Sequence, residues 1–128
     1  MSKLQAVHSE NAPAAIGPYS QAIIANGFVY CAGQTPLDPA TMKLVEGDIG
    51  IQTARVFTNI EAVLIAAGTT LANVVKCNVY LHDMADFQGM NAVYMKHFAQ
   101  PYPARTTVGG LILPLGARVE IECVAVLP

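Results

Sequence analysis

The residues Pro103-Ala104-Arg105-Thr106-Thr107-Val108, then Leu113-Pro114-Leu115-Gly116, then Arg118-Val119-Glu120-Ile121-Glu122 decide the fold. They read as two strands joined by a loop built on Pro114 and Gly116, with an arginine at the head of the first strand and a carboxylate inside the second. Over positions 118–127, Val119, Ile121, Cys123, Ala125 and Leu127 alternate with Arg118, Glu120, Glu122, Val124 and Val126. Alternate side chains of a strand point to opposite faces, so the first set makes a uniformly apolar face. The second face mixes two carboxylates with two valines. A purely solvated face does not usually carry such valines, so a cover over Glu120's face is expected.

The same alternation recurs upstream, with Val75, Cys77, Val79 and Leu81 predicted on one face and Val74, Lys76, Asn78 and Tyr80 on the other. Between these strands, Asp83 is positioned to cap a helix in which Phe87, Met90, Asn91, Tyr94 and Phe98 share a face, ended by Pro101 and Pro103. A longer helix is predicted from an Asp48 N-cap to near Ala67, with Gly68 just past its end. Val56, Ile60, Val63, Leu64 and Ala67 form its buried stripe. Asn26-Gly27 separates two apolar runs and supplies the positive-φ pair of a type I′ hairpin turn. Residues 3–8 read as a short edge strand, and the long loop after Pro36 has the length of a functional loop. The order strands, helix, strand, helix, strands predicts one α+β domain over residues 1–128, with both helices on one face of one sheet. Helices do not account for the other face, so other subunits are expected to cover it.

Charged residues are 12% of the 128-residue chain, about half the roughly 25% usual in soluble domains. Hydrophobic residues reach 53%, yet no uninterrupted apolar run approaches the ~20 residues of a membrane helix. So few charges leave apolar patches exposed, which predicts a homo-oligomer. The net charge of −2 gives no basic stripe for nucleic acid. Cys31, Cys77 and Cys123 are odd in number, widely spaced and set in apolar runs, which predicts buried thiols in a reducing cytosol. No secretory leader pattern is visible.

Arg105 serves either as a surface ion-pair residue or as a carboxylate or phosphate clamp, since a guanidinium offers a planar fork of donors. Glu120 is either an ion-pair partner of Arg118 or a base that orients water. Tyr19 follows a breaker-rich loop and is a packing or rim residue. Asn91, polar on an apolar stripe, needs a partner. His8, His82 and His97 lack metal-ligand spacing, and no nucleophile elbow or phosphate loop is present.

Several blocks together carry a resemblance: Ala15-Ile-Gly-Pro-Tyr-Ser-Gln21, Ala32-Gly-Gln-Thr-Pro-Leu-Asp-Pro39, Asn73-Val-Val-Lys76, Asp86-Phe87 with Asn91 and Tyr94, Pro103-Ala-Arg-Thr-Thr-Val108, Leu113-Pro114 and Val119-Glu-Ile-Glu122. In this order they resemble the reactive-intermediate deaminase (RidA, or YjgF-like) family over nearly the whole chain. The resemblance implies a chorismate-mutase-like two-layer fold, a mixed sheet with two helices, and a homotrimer whose sheets form an inner barrel with sites between subunits. The implied activity is hydrolysis of 2-iminobutanoate and 2-iminopropanoate to 2-keto acids and ammonia, with no cofactor or metal. By position, Arg105 matches the family's carboxylate clamp, Glu120 the acid that holds or activates water, and Tyr19 a site-lining tyrosine. Gly33 matches a glycine bordering the ligand, Asn91 a polar pocket residue, and Thr107 a position where many members carry cysteine or serine. Ala32 replaces a frequent serine, and Gly109-Gly110 replaces an acidic-then-apolar pair, which is expected to loosen the strand end. The rival readings are a small-carboxylate-binding or chaperone-like module without turnover, and an endoribonuclease or translation inhibitor.

Overall fold

The computed structural model describes residues 3–128. In chain order its elements are β1 (Gln5–Val7), β2 (Ala22–Ala25), β3 (Phe28–Gln34), β4 (Leu37–Asp38), β5 (Lys43–Leu44), α1 (Ile49–Ala67), β6 (Val74–Leu81), α2 (Phe87–Tyr94), β7 (Ala104–Val108) and β8 (Val119–Val126). Six strands make one mixed sheet in the order β1-β2-β3-β8-β6-β7, and β4 pairs with β5 alone. Every neighbouring pair is antiparallel except β6 and β7. The deciding stretch therefore supplies β7 and β8, which stand on either side of β6 rather than pairing with each other.

Local chemistry explains the elements. Asn26 and Gly27 have φ of 51° and 80°, so the hairpin between β2 and β3 turns as its sequence predicts. Asp48 accepts from the Ile51 amide at 2.9 Å and starts α1, while Gly68 at φ 93° ends it. By length and composition α1 matches a membrane span, but Val56, Phe57, Ile60, Val63 and Leu64 are sealed in the protein interior. It is the core helix. Those residues join Val29, Val79, Leu81, Val119, Ile121 and Ala125 from the sheet and Met90 and Tyr94 from α2 in one apolar cluster. Each such side chain contributes about 1.5–3 kcal/mol by leaving water. Cys31 lies opposite Cys123, and Cys123 opposite Cys77, so the three free thiols form a buried row across β3, β8 and β6.

Three expectations are corrected. In β6 the register slips between Val74 and Lys76, so Val74 is buried and Val75 is 43% exposed. A bulge there inserts one residue and flips the first position of the alternation. Asp83 caps a 3-10 turn, Met84–Asp86, by accepting from the Ala85 amide, and α2 follows that turn. That helix ends at Tyr94, well before Pro101, through tight bonds from Lys96 and His97 to Val93 and Tyr94. Lastly, β3 runs to Gln34 with an irregular register after Cys31. Ala32 there donates to the Gln21 carbonyl, extending the β2–β3 pairing by one residue.

Candidate active site

Arg105 lies opposite Cys77 and Thr107 opposite Val79 in the parallel β6–β7 pair, so both project toward the helices. There α2 receives the arginine. Nη1 of Arg105 donates to Asn91 Oδ1 at 2.6 Å, which supplies the partner that Asn91 required. The guanidinium carbon stands 4.6 Å from the centroid of the Tyr94 ring and 5.5 Å from that of Phe87. Asn91, Tyr94, Met95, Tyr102, Pro103 and Arg105 line a cleft of about 390 Å³. The Thr107 hydroxyl is buried and has no hydrogen-bond partner among the described residues.

Glu120 lies opposite Tyr80 and projects from the other face of the sheet. Its carboxylate presses on the Gly33 backbone, where a methyl group would come within 2.1 Å of Oε2. A side chain there would have to displace the Glu120 carboxylate from this position. Burial, and then the neighbouring Glu122, raise the Glu120 pKa. Glu122 is held differently, accepting from Asn78 Nδ2 at 3.0 Å and from the Tyr80 hydroxyl. That hydrogen bond, with burial, pushes the Tyr80 hydroxyl up to about 12.

Tyr19 is 53% exposed and lines a groove of about 630 Å³ with Ile16, Gly33, Leu115 and Glu120. Gln21 fixes the loop that leads to it: its side chain accepts from the Ser9 amide at 2.6 Å and donates to the Ser9 and Pro13 carbonyls. Ala32 borders the same groove without a hydroxyl.

The candidates thus fall into two groups. Tyr19, Gly33 and Glu120 line one groove, Arg105 and Asn91 line a cleft on the helix side, and the sheet separates the two. Thr107 shares Arg105's side. Arg118 does not pair with Glu120; it makes a two-pronged ion pair with Asp86, 2.6 Å at its shorter contact, tying β8 to the turn before α2. Nor is the end of β7 loose. A methyl at Gly109 would come within 2.4 Å of Met84 Cγ, so the glycine is the seat on which Met84 packs.

Phe87 and Tyr94, whose rings flank Arg105, entered the sequence reading only through a shared helical face and the family blocks, with no site role. Their signal was present, since positions 87, 91 and 94 recur on one helical face. No group of three or more His, Cys, Asp or Glu among the described residues is arranged to hold a metal. His82 and His97 bond to the Leu111 and Val93 carbonyls, and His97 stacks on Phe57.

The sequence profile of the family described as Endoribonuclease L-PSP matches residues 9–127. The chain belongs to this family. Within it, a 2-iminobutanoate/2-iminopropanoate deaminase of Bos taurus is 44% identical over 120 residues, covering 94% of this chain and 88% of that protein. Reactive Intermediate Deaminase A, chloroplastic, of Arabidopsis thaliana is 46% identical over 125 residues, 98% of this chain and 67% of that protein. A crystal structure of E. coli TdcF with bound serine superposes with a TM-score of 0.90 at 32% identity, covering 97% of this chain and 99% of that one. The RidA-type resemblance and the α+β fold with two helices on a mixed sheet are borne out.

Proposed function

We propose that this family member hydrolyses 2-imino acids, the class of 2-iminobutanoate and 2-iminopropanoate, to 2-keto acids and ammonia, as one domain spanning residues 1–128. The observation that carries the reading is Arg105: a guanidinium in a cleft with a neutral amide and two rings around it and no carboxylate partner among the described residues. Its free donors suit a substrate carboxylate. The bound serine named for TdcF is another small carboxylate.

In this reading Glu120 is the base. Its raised pKa suits proton transfer near neutrality better than that of an ordinary carboxylate. The imine nitrogen first takes a proton from solvent; a water held by Glu120 then adds through oxygen to the iminium carbon and gives a proton to the carboxylate. Glu120 returns that proton to the nitrogen of the tetrahedral adduct. The C–N bond breaks, ammonia leaves with the bonding pair, and the hydroxyl releases its proton to solvent as the keto group forms, balancing the proton first taken up. Tyr19 lines the groove as a hydroxyl donor. Gly33 makes room for the Glu120 carboxylate, and Asn91 and Thr107 border the substrate. The imine is already electrophilic, so orientation supplies much of the rate.

Arg105 and Glu120 lie on opposite faces of one sheet, so the reaction calls for Arg105 of one subunit and Glu120 of another. A homotrimer with its open sheet faces turned inward meets that need, and the few charges and exposed Tyr30, Phe28 and Val108 support it. We also infer cytosolic residence, which suits three free buried thiols. The test is keto-acid release from freshly generated 2-iminobutanoate, with spontaneous hydrolysis subtracted. Arg105→Ala is expected to lose the acceleration while keeping the trimer mass by light scattering. Undiminished turnover would refute the reading.

The family description favours a second reading, RNA cleavage. The net charge of −2 weighs against it. Cleavage that survives rigorous nuclease removal and vanishes in Arg105→Ala would establish it.

A further inference from the structure

We propose that Tyr94 and Phe87 are positioning residues that hold the Arg105 guanidinium over two π faces, so that its charge meets an incoming carboxylate uncompensated. This rests on the reading of Arg105 as the carboxylate clamp.

A half-buried arginine is ordinarily balanced by a carboxylate, because an unpaired charge is costly away from water. Among the described residues the ion pair belongs to Arg118 and Asp86, not to Arg105. Arg105 is balanced another way. The negative faces of two rings lie 4.6 Å and 5.5 Å from its central carbon, and aromatic faces attract cations without cancelling their charge. Its one hydrogen-bond partner among the described residues, Asn91 Oδ1, is neutral and engages Nη1, which leaves other N–H groups of the fork for a ligand. An acidic residue in place of Asn91 would compete with the substrate for the same cation.

The platform is itself anchored. The Tyr94 ring meets Phe57 edge-on at 5.7 Å and leans on Phe98 at 4.9 Å, so it is tied to the helix core. Its hydroxyl lies beside the Cys77 thiol with no oxygen or nitrogen partner among the described residues. The ring, not the hydroxyl, does the holding.

The experiment titrates 2-oxobutanoate, a stable carboxylate of the product class, into wild type, Tyr94→Leu, Tyr94→Phe and Asn91→Asp by calorimetry, with imine turnover measured in parallel. Tyr94→Leu is expected to weaken binding about fivefold or more and to raise KM by more than it lowers kcat. The conservative Tyr94→Phe restores the affinity that leucine loses. Asn91→Asp weakens binding by roughly tenfold or more through a competing internal ion pair. Wild-type affinity in a folded Tyr94→Leu, loss in Tyr94→Phe equal to that in Tyr94→Leu, or undiminished binding by Asn91→Asp overturns the proposal. If circular dichroism shows that Tyr94→Leu does not fold, Phe87→Leu at the half-buried second ring takes the same titration with the same two outcomes. A wild type that binds the keto acid without turning over the imine removes the deaminase reading and leaves the platform standing; one that does not bind overturns both.

Discussion

Glu120 and Glu122 are neighbours on one face of β8 and reach different electrostatic states. Glu122 accepts two hydrogen bonds, from Asn78 and Tyr80. Glu120 accepts none among the described residues and is held by burial against Gly33, with its pKa raised. In the unfolded chain that carboxyl titrates near its ordinary value of about 4.3. Between that value and the raised folded one, the folded state binds more protons, so stability falls as pH rises through the window. Glu120→Gln is therefore expected to raise the melting temperature above the window and to leave it unchanged below. If Glu120 is the base, as proposed, kcat/KM of the wild type falls as pH drops through the raised value, an acid limb displaced upward from an ordinary glutamate. A limb at the ordinary value would show that Glu120 is not the base. Glu120 was legible as a candidate because alternation put it among valines, and Asn91 because it was polar on an apolar stripe. The partner of Arg118 was not legible: Glu120 is near in sequence, but folding brings up Asp86, from a distant turn.

At the scale of elements, α1 was readable because its ends obey local rules: a capping aspartate and a glycine in the left-handed region. Its buried polar residues depend on what the fold lays beside them. Asn59 is fully buried, donates to the Thr35 and Leu37 carbonyls and accepts from Arg55, so it fastens the loop bordering the Tyr19 groove to the helix. Asn59→Leu removes the buried amide that serves both carbonyls, leaving Thr35 with its turn bond from the Leu37 amide, and is expected to cost about 1–3 kcal/mol by urea denaturation. A midpoint unchanged from wild type would mean that the loop is held by other contacts. The β6 bulge could not be read ahead of time, because Val74 and Val75 are identical and either can begin the alternation. Only pairing with β8 selects which is buried. The early end of α2 was also hidden, since Phe98 continues the apolar spacing past Tyr94 and still packs on its ring.

For the whole molecule, the sheet divides the candidate residues: one face holds Arg105 under α2, the other holds Glu120 with no helix over it among the described residues. The alternation and the low charge pointed to a covered second face, but the separation of these two residues depends on β6 lying between β7 and β8, which no local pattern dictates. It yields a prediction for assembled subunits. Arg105→Ala and Glu120→Gln are each expected to be inactive alone. Refolded together in equal amounts, they regain about a quarter of the wild-type sites, the fraction that draws an intact residue from each parent in a closed ring with sites between subunits. No recovery at all would mean that each chain carries a whole site. The row of Cys31, Cys123 and Cys77 has its own consequence. All the chain's sulfhydryls lie inside, with the Cys77 thiol pushed up to about 11 by burial, so a thiol-labelling reagent finds its target only when the central strands part. The native sequence thus keeps its own clock of opening, ticking at the rate at which the sheet comes undone.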